Sequence, residues 1–171
     1  MICGSLALNS ISNCFVHNVC VGNSNVDIDV PKFNYHEVLN FGSIEFNERQ
    51  SEQLNQERGV SSEKVKQIKI DDSPLDNVRF IKIDVEGMEA DVLLGAENTI
   101  EKSRPLCLVE ILKSDKNFIA DFFSSRDYQL WEWGSDFLCI PKSLAGYFNI
   151  TLKEVRALFK RSELIFEHFI L

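Results

Sequence analysis

The chain has 171 residues, 18 Lys and Arg against 26 Asp and Glu, a formal net charge of −8 and 44% hydrophobic residues. That length suits one domain able to bury roughly 70% of its unfolded surface, and the composition is globular rather than disordered. The acidic balance argues against a nucleic-acid surface, which needs clustered cations, and no apolar stretch approaches the about 18 residues expected of a bilayer crossing.

Met1 to Leu8 does not read as a signal peptide, since it has no cationic start and Asn9 and Ser10 end its apolar run. Residues 5–13 read as the tail of a helix, with Leu6, Leu8 and Ile11 apolar and Asn13 as a stop. Residues 14–22 have strand composition, Asn23-Ser24-Asn25 is turn chemistry, and Val26 to Val30 alternates with a period of two. Residues 47–63 hold few apolar positions and no period, so they read as a solvated loop or lid. Val65, Ile68 and Ile70 mark the return of order among lysines.

Residues 78–85 form a strand rich in β-branched residues, closed by Glu86-Gly87. Met88, Val92, Leu93, Ala96 and Ile100 then recur at helical spacing to about residue 102. Glu89 and Asp91 at the start and Lys102 at the end suit the macrodipole of that helix, and Pro105 cannot continue it. Leu106 to Ile111 is an almost wholly apolar strand, as expected of one covered on both faces. Phe118, Ile119, Phe122 and Phe123 mark a second amphipathic helix, and 128–133 with 137–140, joined by Gly134-Ser135-Asp136, an antiparallel hairpin. From Thr151, a capping box with Glu154 leads into an apolar stripe ending at Phe169. This succession predicts an α/β sheet with crossover helices.

Asp84 and Glu86 end one predicted strand, and Glu110 lies near the end of the next. Ligands of open parallel sheets bind outside the carboxyl ends of strands, so three carboxylates can meet there as general bases, metal ligands or acceptors for hydroxyls and amines. The competing reading makes them helix-entry acids, with Glu86 and Glu89 capping the following helix. Cys14-x-x-His17-x-x-Cys20 has metal-like spacing, but strand residues three apart face opposite ways, so no zinc site is expected. His36 and His168 have no partner that suggests a nucleophilic triad. Trp131 and Trp133 share a strand face, as core or as the wall of a pocket. The five cysteines lack a C-x-x-C pair and read as reduced thiols of a cytoplasmic protein. Neither a glycine-rich phosphate cradle nor a G-x-S-x-G elbow occurs.

Phe80-Ile81-Lys82-Ile83-Asp84-Val85-Glu86-Gly87-Met88-Glu89, followed by Val92-Leu93, Gly95-Ala96, Arg104-Pro105 and Val109-Glu110, closely resembles the FkbM family of S-adenosylmethionine-dependent methyltransferases. Leu8-Asn9 to Asn13 is similar to that family's helix before its third strand, Asn40-Phe41-Gly42-Ser43 to its N-F-G segment, and Leu138 to Pro141 to its closing strand. The likeness runs from about residue 5 to 142. It implies a class I methyltransferase (Rossmann-like) sheet of strand order 3-2-1-4-5-7-6 ending in the antiparallel hairpin. The implied reaction is methyl transfer from S-adenosyl-L-methionine to a hydroxyl of a sugar or natural product. By the same resemblance, Asp84 and Glu86 are catalytic, Asp84 and Gly87 contact the donor, and Glu110 and Asn40 lie on the acceptor side; no residue is assigned as a metal ligand. Gly87 would let the backbone turn closely under a ligand, and Gly95 would permit tight helix–sheet packing.

Strand one of that order, its glycine-rich donor loop and the acid that holds the donor's ribose have no counterpart here. The expectation is therefore an N-terminally truncated sheet: a partial methyltransferase domain over 1–142 and a helical extension over 143–171. A fragment of a longer product ranks ahead of direct docking of strand three on strand four, or of a partner chain supplying the missing half. The open edge of strand four would favour self-association or a partner. The alternative function is a non-catalytic interaction protein derived from a methyltransferase; a carboxylate–metal hydrolase at Asp84, Glu86 and Glu110 ranks third.

Overall fold

A computed structural model describes residues 2–31, 62–148 and 169–170. Two sheets organise them. The smaller has strands β1 (Cys20–Val21), β2 (Asp27–Pro31) and β3 (Ser62–Ile68) in the order β1-β3-β2, with β1 parallel and β2 antiparallel to β3. The larger has β4 (Phe80–Ile83), β5 (Leu106–Glu110), β6 (Tyr128–Trp133), β7 (Asp136–Pro141) and β8 (Phe169–Ile170) in the order β6-β7-β5-β4-β8. β4 and β5 run parallel from Phe80↔Leu106 to Ile83↔Val109, so both strands end on the same side. β7 lies antiparallel to β5 and to β6. The β6–β7 turn is Gly134-Ser135, with Gly134 at φ +60°, the first central position where such two-residue turns favour glycine.

The helices are α1 (Ile2–Leu8), α2 (Glu89–Leu94), α3 (Glu97–Ser103), α4 (Lys116–Ser124) and α5 (Lys142–Ala145), with a 3-10 turn at Ile70–Asp72. The core gathers Ile81 and Ile83 of β4, Cys107 and Val109 of β5, Val92 and Leu93 of α2, Ile100 of α3, and Ile119 and Phe123 of α4. Asp115 caps α4 by accepting from Asn117 N at 3.0 Å and Phe118 N at 3.1 Å, which sets its Phe122 and Phe123 face against the sheet. Phe123 meets Tyr128 edge-on at 5.1 Å, and Arg104 lies 4.5 Å over the other ring of that pair, Tyr128.

The single helix expected over 88–102 is two helices, α2 and α3, broken at Gly95-Ala96. The cause lies outside that segment. The Gly95 carbonyl accepts from Asp71 N at 2.9 Å, and a Cβ on Gly95 would stand 1.9 Å from the Gly22 oxygen. Gly95 thus serves close packing as expected, but against the segment that follows β1. The Asp71 carboxylate then caps the restarted helix, accepting from Asn98 N at 3.1 Å and Thr99 N at 2.8 Å, and also from both side chains. α3 ends at Arg104 in the left-handed conformation, φ +50°, ahead of Pro105.

Other expectations are met over shorter spans. The helix expected over 5–13 lies at 2–8, and only Cys20 and Val21 of the expected strand 14–22 are paired, since β1 meets β3 at Gln67 and Ile68 alone. Cys14 and His17 are exposed and outside any regular element, so the strand geometry used to discount a metal there does not exist. Of the expected loop 47–63, Ser62 and Glu63 belong to β3 and the rest lies outside the described residues. So do His36, His168 and the stripe from Thr151 up to β8. The β4 edge expected to be open is paired over Phe80 and Ile81 by β8, running parallel. No helix among the described residues is long and apolar enough to cross a membrane.

Candidate functional site

β4 delivers its chain into a turn that a regular strand–helix junction would not need. Glu86 has φ +52° and Gly87 φ +98°, two successive residues in the left-handed half of backbone space. Glycine tolerates this freely, whereas a residue with a Cβ pays about 1–2 kcal/mol. The turn leads into α2, which starts at Glu89. Successive amides in such a turn point inward and form an anion-binding concavity. Here the chain fills it itself: the Glu89 carboxylate accepts from Val85 N at 3.2 Å and from Gly87 N at 3.1 Å. The Ser114 hydroxyl also donates to Glu89, tying down the loop after β5.

Three carboxylates meet above this turn. Oxygens of Asp84, Glu86 and Glu110 all lie within 4.8 Å of one another. Parallel pairing explains the convergence, because Ile83 is opposite Val109 and the next residue of each strand is acidic. Lys82, two residues before Asp84 and so on the same strand face, pairs with it. Lys113 Nζ lies 2.7 Å from Glu86, with both side chains three-quarters or more buried. Glu110 Oε2 is buried and, among the described residues, has no hydrogen-bond partner. Burial raises the Glu110 acid above the ordinary carboxylate range, and repulsion from Asp84, Glu86, Glu89 and Asp136 adds to it. Glu110 is therefore the member of the cluster most ready to hold or exchange a proton. The spacing would also admit a divalent cation, although lysines pair with two of the three acids.

The remaining expected site residues fall as follows. Gly87 is in the turn, at φ +98°. Asn40 lies outside the described residues. Trp131 is half-buried and Trp133 exposed on β6, at the far edge of the sheet from β4. A concavity of about 200 Å³ lined by Asp71, Leu75, Asn98 and Lys102 includes none of the three carboxylates. Sequence reasoning missed Lys113, Ser114 and the role of Glu89, which it placed as a helix-entry acid. No sequence signal separated Glu89 from an ordinary helix-entry acid, because its role depends on the left-handed backbone at 86–87.

The methyltransferase FkbM domain matches residues 5–135. A crystal structure of methyltransferase FkbM from Methylobacillus flagellatus KT is similar in fold, with a TM-score of 0.53 at 20% identity. That likeness covers 81% of this chain and 32% of the other, so the chain spans about a third of the length of this neighbour. No curated protein matches. The family match takes in well over half of the residues, including β4, β5 and the acidic turn between them, and the chain belongs to the methyltransferase FkbM domain family.

Proposed function

We propose that the carboxylate cluster at the ends of β4 and β5 is the acceptor side of an S-adenosylmethionine-dependent O-methyltransferase site, acting on a hydroxyl of a sugar or natural product. The observation that carries this reading is the meeting of Asp84, Glu86 and Glu110 within 4.8 Å beyond two parallel strands, in a chain of the FkbM family. Methyl transfer to oxygen needs the hydroxyl held in line with the sulfonium methyl and a group to take its proton. Asp84 and Glu86, held by Lys82 and Lys113, orient the hydroxyl and balance the positive donor; Glu110, a carboxylate of raised proton affinity whose buried Oε2 has no partner among the described residues, takes the hydroxyl proton as the methyl group moves to the oxygen. Gly87 keeps the backbone low enough for the donor to pass over the turn. The FkbM-type portion is taken as residues 1–142, resting on a class I sheet in which β4, β5, β7 and β6 are the 4-5-7-6 half; 143–171 follow as an extension whose β8 pairs with β4. Asn40, on the acceptor side by resemblance, and a cytoplasmic setting complete the proposal.

Titration of S-adenosylmethionine into the chain, followed by calorimetry, is the test. Saturable heat that Asp84→Asn diminishes supports the reading. A folded chain that gives no heat would sink donor binding by this chain itself and favour the second reading, a non-catalytic interaction protein. That alternative has one observation of its own: Leu8 and Phe15 are more than four-fifths exposed, and α1 buries no residue. Sedimentation as a monomer at high concentration, with no partner retained on purification, would count against it.

A further inference from the structure

The Glu89 side chain is almost wholly buried, with 1% of its surface exposed, although it stands in the first turn of a helix where an acid would ordinarily face water. Its donors come from two different segments. Val85 N and Gly87 N belong to the turn that carries Asp84 and Glu86. The Ser114 hydroxyl belongs to the loop after β5, next to the Lys113 that pairs with Glu86 at 2.7 Å. One buried carboxylate therefore bridges the two strand-end segments from which the acidic cluster is built. Buried networks of this kind are stiff, since each donor left without its acceptor carries a full desolvation cost.

We propose that Glu89 is a positioning residue: clamped by Val85 N, Gly87 N and Ser114, it sets the distance between the Asp84–Glu86 turn and the β5 end that bears Glu110. The inference rests on the reading that those three acids are the reacting side of the site, where a displacement of about 1 Å can cost about 100-fold in rate. Glu89 touches neither donor nor acceptor and works only through the turn and loop it joins.

The test reads the geometry of the cluster without needing activity. The Glu110 carboxyl is followed by carbon-13 NMR across pH in the wild type, Ser114→Ala, Ser114→Thr and Glu89→Gln, with circular dichroism to confirm folding. Glu110 faces Asp84 and Glu86 from the turn, Glu89 from α2 and Asp136 from β7, with Lys82 and Lys113 bound to the first two. If Glu89 holds these groups together, its release lets them spread. The Glu110 midpoint then falls by about half a pH unit or more in Ser114→Ala, which leaves every charge in place, and Ser114→Thr restores it; Glu89→Gln lowers it further, since it also removes a repelling charge. A midpoint equal to the wild type in folded Ser114→Ala would overturn the proposal and leave Glu89 as a purely stabilising group. Should Glu89→Gln not fold, Ser114→Ala against Ser114→Thr decides alone. Failure of the wild type to bind S-adenosylmethionine would sink the methyl-transfer reading and leave this result standing on its own.

Discussion

Glu110→Gln should stabilise the protein at neutral pH while disabling the site. The Glu110 carboxylate lies within 4.8 Å of Asp84 and Glu86 oxygens, and one of its own oxygens is buried without a partner. At 4.8 Å, two like charges repel by about 0.9 kcal/mol in water and about 3.5 kcal/mol at an effective dielectric constant of about 20. Asp84 is nearly half exposed and paired with Lys82, and Glu86 is paired with Lys113, so both repulsions fall toward the lower figure. Two such repulsions give about 1–2 kcal/mol, or about 2–8 °C in Tm for a domain of this size. The pH dependence has a definite sign. The folded-state pKa of Glu110 is raised above its ordinary 4.5, so the native state keeps the proton longer than the unfolded chain does. No penalty is felt below that ordinary value, and it grows as pH rises through the folded one. The difference in Tm between Glu110→Gln and wild type, measured by calorimetry from pH 4 to 8, should be positive at pH 7 and shrink toward zero near pH 4. A difference that is negative, or flat across that range, would refute the charge-crowding account.

Asp71→Ala removes the acceptor for two backbone and two side-chain donors at the start of α3 and should cost about 1–2 kcal/mol in urea unfolding. Gly95→Ala drives a methyl group into the Gly22 carbonyl and should cost about 1–3 kcal/mol by thermal melting. Gly134→Ala meets open space and strains only a φ of +60°, so its cost stays near about 1 kcal/mol and its melt separates the two mechanisms. Burial raises the Cys107 and Cys139 thiols, so maleimide should modify exposed Cys3 and Cys14 quickly and those two only after unfolding.

β4 and β5 were legible because an apolar, β-branched run bounded by Glu86-Gly87 and by Pro105 has few other ways to bury itself. The meeting of Asp84, Glu86 and Glu110 followed from the same reading, since parallel neighbours of similar length must end together. The break at Gly95 was not legible. Periodicity over Met88 to Ile100 records which residues face the core, and both helices face it; the interruption is imposed by Asp71 and Gly22, far away in sequence. The same limit hid Glu89. An acid in a first helical turn satisfies the macrodipole rule whether it points to water or inward, and only the left-handed pair at 86–87 turns amides toward it. Phe15 and Val16 have strand chemistry yet stay unpaired and exposed, because what a strand needs is a partner with free backbone groups.

Glu86 offers the sharpest separation of architecture from chemistry. A non-glycine residue at φ +52° carries about 1–2 kcal/mol of strain that glycine would avoid. Its pairing with Lys113 returns about 0.5–1 kcal/mol, for two side chains about a quarter exposed. The strain and the ion pair nearly cancel, so Glu86→Gly should leave stability within about 1 kcal/mol of wild type. Strain kept without a stability return points to a use for the side chain itself. If Glu86 orients the acceptor hydroxyl, the variant should fold and melt normally while donor-dependent methylation falls by about 100-fold or more. A variant that loses more than about 2 kcal/mol would show that the carboxylate is retained for the turn, and one that keeps full transfer rate would remove Glu86 from the site.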